Sequence, residues 1–135
     1  MPLKLRLALL VVMLVICGAP AAHSDEKSRA ELFEKKVAPL LVRRCLGCHG
    51  GSQSEGELDL STQSAALAGG ESGEPAIAPG KPNDSHLLTR VKDGEMPPED
   101  AGEPLTEAEI ATLQEWIAAG APWPAERTLS PFELT

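Results

Sequence analysis

The sequence predicts a small all-α domain whose long irregular connections wrap a bound apolar group. Three observations carry that expectation. Several segments place apolar residues at helical spacing between recognisable caps. The middle of the chain is rich in Gly and Pro and shows little strand periodicity. Aromatic residues make up only 3% of the 135, with no tyrosine. So modest a supply of core-forming side chains is relieved if a cofactor takes the centre of the core.

The elements follow in order. Lys4 and Arg6 form a basic start, residues 7–16 an unbroken apolar run, and Ala19, Ala21, Ala22 and Ser24 the small residues of a cleavage region. This is the layout of a secretory signal peptide, too short for a permanent membrane span. Residues 1–24 are expected to be the leader, cut after Ser24 in preference to Ala21, and residues 25–135 the mature domain. Cys17 falls inside the leader, and Ile16 before it is too large for a lipoprotein site. The mature chain therefore keeps two cysteines in an oxidising compartment, where a free pair would normally become a disulfide.

Residues 28–44 read as a helix, with Phe33, Val37, Leu40 and Leu41 on one stripe. Pro39 lies within it and predicts a kink or break near Val37 or Ala38. Residues 50–57 read as a flexible loop and 57–61 as a short extended segment. Ser61 or Thr62 caps a brief helix that stops at Gly69. Residues 71–83 are irregular, with a rigid turn at "PGKP", and so long an irregular stretch in a small domain is expected to wrap something.

Asp84 or Ser85 caps a helix over residues 86–92 that ends at Gly94. "EMPPED" follows as an exposed turn. The last helix is the clearest: Thr106 and Glu109 form a capping box, Ile110, Leu113, Trp116 and Ile117 the stripe, and Gly120 with Pro122 the stop.

The chemistry centres on Cys45-Leu46-Gly47-Cys48-His49, the C-x-x-C-H pattern of c-type haem attachment. On one helical turn two thiols can add across the two vinyl groups of a haem. The following histidine then becomes the proximal iron ligand. Gly47 keeps the backbone slim against the macrocycle, and Gly50 with Gly51 turns the chain away.

Three other readings compete. A thioredoxin-like redox pair belongs in a βαβ context that the flanks do not show. A zinc site needs four ligands, and the mature chain supplies only Cys45, Cys48, His49 and His86 without a second paired spacing. A disulfide closing so short a loop would constrain the unfolded chain little. One covalent haem c per chain is the expectation.

Met96, the one methionine of residues 25–135, sits in a Pro-flanked turn and is the candidate distal ligand; His86 and an open sixth position are the rivals. Methionine raises the potential, which suits an oxidising carrier. Trp116 is expected in the core between the last and first helices or at the haem edge, and Trp123 as a pin for the departing chain. Arg43 and Arg44 either meet haem propionates or face water, solvent being the preferred reading.

The full chain carries −8 formally, and without Lys4 and Arg6 ten basic residues face twenty acidic ones. Nucleic acid and anionic membrane are poor partners for such a surface. Residues 93–135 hold one basic residue against ten acidic. A redox partner with a basic docking face is the expected complement.

The run "VAPLLVRRCLGCHGG", "GELDLST", "ALAGGESGEPAIAPGKP", "SHLLTRV", "DGEMPP" and "LTEAEIATLQEWIAAGAPWP" resembles the planctomycete-type cytochrome c domain over residues 37–124. The resemblance implies a cytochrome c-like fold with the first and last helices packed beside haem. It implies Cys45 and Cys48 as attachment sites, His49 as proximal and Met96 as distal ligand. In that family the domain often leads a much larger secreted protein, whereas this chain reads as the module by itself.

The expected function is an exported, periplasmic or equivalent, mono-haem electron carrier without catalytic activity. A haem-based sensor with an open or displaceable sixth position is the alternative from a different class, and a third reading is an assembly protein that retains haem mainly as a structural core.

Overall fold

The computed structural model describes residues 21–133. Residues 1–20, with most of the expected leader and Cys17, lie outside them. The architecture is helical with long loops, as expected. The first helix, α1 (Ala21–Leu32), continues through a π-helical segment, Phe33–Val37, into α2 (Ala38–Arg44). It begins at Ala21 rather than Ser28, and residues 24–29 are exposed, so no apolar stripe marks the early turns.

Pro39 neither breaks the helix nor ends it. Leu32 and Ala38 both keep α-helical dihedrals, and the Ala38 N–H donates to Phe33 O, one residue further back than in an α-helix. Proline lacks the N–H and crowds the carbonyl four residues earlier. A widened turn just ahead of it absorbs both problems.

That widened turn places Phe33 at the centre of the core. Its ring lies 4.5 Å from Trp123 and 6.2 Å from Trp116, centroid to centroid, and the two indoles are 6.1 Å apart. Trp116 is fully buried and its Nε1–H donates to Pro122 O at 2.8 Å. Trp123 donates from Nε1 to Arg127 O at 2.7 Å. Both indole N–H groups are thus satisfied where burial would otherwise penalise them. Trp123 is a core residue as well as a pin for the tail.

The last helix, α5 (Glu107–Ala118), starts on the expected capping box: Glu109 N–H donates to Thr106 Oγ1, and Thr106 N–H donates to Glu109 Oε2. Leu113, Trp116 and Ile117 are its buried face. The chain leaves through Gly120 at φ +96°, a conformation that favours glycine.

Between the two ends lie α3 (Gln63–Ala68), capped by Thr62 Oγ1 accepting from Ala65 N–H, and α4 (His86–Lys92). Ser85 occupies the cap position of α4, but its hydroxyl does not cap. Wholly buried, Oγ accepts from Ala78 N–H and donates to Lys81 O, closing the preceding loop on itself. Gly80 N–H donates to Ile117 O, which ties the "PGKP" turn to α5. A two-residue antiparallel hairpin, β1 (His49–Gly50) with β2 (Gln53–Ser54), is the one element of sheet among the described residues.

Candidate functional site

The chain leaves α2 in a tight helical turn. Cys45 N–H and Leu46 N–H both donate to Leu41 O, and Cys48 N–H and His49 N–H both donate to Cys45 O. This brings both cysteines and His49 onto one turn. Both thiols are free and half-buried, while Leu46 points into the core. The hairpin then folds straight back: a Cβ on Gly50 would stand 2.7 Å from Leu46 O, closer than such atoms approach. The glycine that lets the chain turn away is therefore required by the motif's own backbone. Leu60 N–H donates to His49 O at 2.8 Å, so the extended segment after the loop braces the histidine's backbone.

A cavity of about 350 Å³ opens beside this turn, within the range of small-molecule and cofactor sites. Cys45, Cys48 and His49 form one wall, and His86, Arg90 and Val91 of α4 another. Met96, Pro97 and Leu105 close a third side, and Leu58, Gly70 and Ala76 come from the irregular middle of the chain. The long loops line this cavity. All four expected haem residues, Cys45, Cys48, His49 and Met96, face one space, and His86 joins them.

Residues 45–100 match the family model described as Planctomycete cytochrome C. That segment belongs to the planctomycete cytochrome C family. A domain of this family has a haem-binding, electron-transfer role and carries covalently bound haem c. The match is shorter than the resemblance read over residues 37–124, but holds both the cysteine motif and Met96. No curated protein and no solved structure matches the chain.

The residues around this segment fit haem c. The cavity offers two thiols, an imidazole and a thioether among apolar neighbours, the donor set of a soft iron site. His49 Nδ1 is enclosed without a hydrogen-bond partner, an uncommon state for a buried ring nitrogen. A Cβ on Gly47 would meet nothing within 4 Å, so the protein's own packing does not demand glycine at that point of the wall. A flat ligand lying against the turn would.

Burial pushes the Cys45 thiol up to about 12; the nearby Arg44 guanidinium lowers it less than burial raises it. Near neutral pH Cys45 is therefore held as the neutral thiol. Arg44 itself, half-buried, donates from Nη2 to Pro104 O at 3.0 Å and to Glu103 O. It is therefore occupied by the loop before α5 rather than facing water.

Met96 is partly buried and packs against the core, with its N–H donated to Arg90 O at 3.2 Å. His86 has its Nε2 engaged as acceptor for Arg90 Nε–H at 3.1 Å. Trp116 does not line the cavity, which settles it as a core residue. The His86–Arg90 pair and the Arg44 link were not foreseen. The i, i+4 spacing of His86 and Arg90 was the available signal for the first, and nothing local signals the second.

Proposed function

We propose that this chain is an exported mono-haem electron carrier with His49 and Met96 as axial iron ligands. The observation that carries the reading is the convergence of Cys45, Cys48, His49 and Met96 on one cavity. Cys45 and Cys48 would hold the porphyrin through thioethers, His49 would bind iron on the motif side, and Met96 would complete the coordination. When bound, haem c supplies the one-electron iron(III)/iron(II) couple.

The protein's part is to fix these groups and keep water from them. Leu58, Leu87, Val91 and Leu105 line the cavity and lower its polarity, which favours the less charged ferrous state. Arg90 backbone carbonyl anchors Met96 at its own N–H. The engagement of His86 Nε2 by Arg90 favours Met96 over His86 as the distal ligand.

The acidic C-terminal part suits a partner with a basic docking face, with association that weakens as salt rises. Residues 1–24 act as an export leader in this reading, with residues 25–135 as the haem domain working in a periplasmic or equivalent compartment. No helix among the described residues is long and apolar enough to cross a membrane.

The test is production with a cytochrome c maturation system, followed by a haem-staining gel under denaturing conditions. Covalent haem that disappears in the Cys45→Ala, Cys48→Ala double variant is the expected result. Met96→Ala should then lower the potential, and an unchanged potential rejects Met96 as a ligand.

A further inference from the structure

The cavity wall carries three guanidinium groups, from Arg43, Arg44 and Arg90, and two carboxylates, from Glu55 and Glu71. A haem presents two propionates, so one or more of these cations has an anionic group to meet. Porphyrin chemistry divides them. The vinyl groups that become thioethers and the propionates stand on different edges of the macrocycle. Arg43 and Arg44 directly precede Cys45 on α2 and so belong to the thioether edge. Arg44 is moreover spent on Glu103 O, Pro104 O and Glu109. The loop wall with Glu55 and Glu71 repels a carboxylate.

The remaining cation is on α4. Arg90 Nε–H donates to His86 Nε2, and Nη1 pairs with Glu95. Nη2 has no partner among the described residues. Because His86 Nε2 is the acceptor in this bond, the ring hydrogen sits on Nδ1, which becomes a second donor. No described residue bonds to Nδ1, although the ring also borders a polar cleft with Glu74, Asp84 and Thr89. The two donors point apart, because the ring nitrogens of an imidazole face opposite sides; His86 orients the guanidinium through Nε2, and Arg90 Nη2 is the cationic donor left on the cavity wall. A guanidinium N–H held in place in this way suits a carboxylate.

We infer that Arg90 binds a haem propionate through Nη2, with His86 Nε2 holding the guanidinium in position. The rival role for His86 as an axial ligand is thereby replaced by one at the edge of the macrocycle. The inference rests on the haem reading above.

The test uses the holoprotein with Arg90→Gln, Arg90→Lys, His86→Asn, Glu95→Gln and Arg43→Gln. Resonance Raman reads the propionate bending vibration, and redox titration reads the potential. Arg90→Gln should shift the propionate mode and lower the potential, since a cation that opposes ferric iron is lost. Arg90→Lys keeps the charge and should lower the potential less, and His86→Asn should shift the mode while leaving the axial-ligand bands in place.

Glu95→Gln and Arg43→Gln should leave the mode unmoved. A mode that ignores both Arg90 variants, or that answers only to Arg43→Gln, overturns the pairing, as does loss of an axial-ligand band in His86→Asn. Absence of covalent haem in the unsubstituted protein would instead sink the haem reading itself.

Discussion

Arg44 Nε lies 3.7 Å from Glu109 Oε1, and this pair joins the end of the helix that delivers the cysteine motif to the start of the last helix. The same carboxylate closes the capping box with Thr106. The Thr106 backbone N–H first, and Arg44 less strongly, hold the Glu109 carboxyl below its ordinary value. A depressed carboxyl contributes stability above its unfolded value of 4.5 and loses it as pH falls through the lower folded value. Thr106→Ala should cost about 1 kcal/mol. Glu109→Gln should flatten the acid side of the stability profile, measured by urea midpoints from about pH 6 downward.

The Phe33, Trp116 and Trp123 cluster predicts where the fold is most sensitive. Phe33→Ala empties the space beside two indoles and should cost about 3–5 kcal/mol, with a comparable loss for Trp116→Ala. Thermal unfolding of the haem-free chain reads both. A loss below about 1 kcal/mol would mean that the aromatic contacts carry little of the core.

Much of this was legible in the sequence wherever the deciding interaction is local. The Thr106–Glu109 box, the Thr62 cap and the cysteine turn depend on residues within a few positions, and all formed as their spacing implies. The π-segment was visible only as a proline conflict, because the choice between breaking and widening depends on Phe33 meeting Trp123, ninety residues on. Ser85 looked like a cap because its place in the chain fits one, yet a buried loop claims its hydroxyl. The four convergent site residues were named from motif and composition. Of the two arginines at their edge, Arg90 pairs with near neighbours in the chain, whereas Arg44 gained its partners only from the fold.

Cys45 gives the haem-free chain a pH signature. With the folded thiol raised from 9.0 to about 12, the folded state holds a proton that the unfolded state releases. Stability is complete below about 9 and falls as pH rises toward 12. Cys45→Ala should remove most of that alkaline loss, read by denaturant midpoints of the reduced haem-free chain. Persistence of the full loss in the variant would place its origin elsewhere.

Two glycines of the cavity wall should respond oppositely. A Cβ on Gly70 would stand 2.4 Å from Gly56 O and 3.2 Å from Leu58 N, a collision with backbone that cannot be relieved by a rotamer. Gly70→Ala should cost about 1–3 kcal/mol. Gly47→Val meets no protein atom at its Cβ. It should leave the haem-free fold nearly unchanged but reduce the yield of covalent haem, read by staining intensity per mole of chain.

The most direct test of His49 and Met96 ligation is the ferrous absorption spectrum of the covalently loaded protein before and after carbon monoxide. The account predicts a low-spin, six-coordinate spectrum that carbon monoxide leaves unchanged. Ready conversion to a carbon monoxide adduct would contradict it, showing a sixth position that Met96 does not hold.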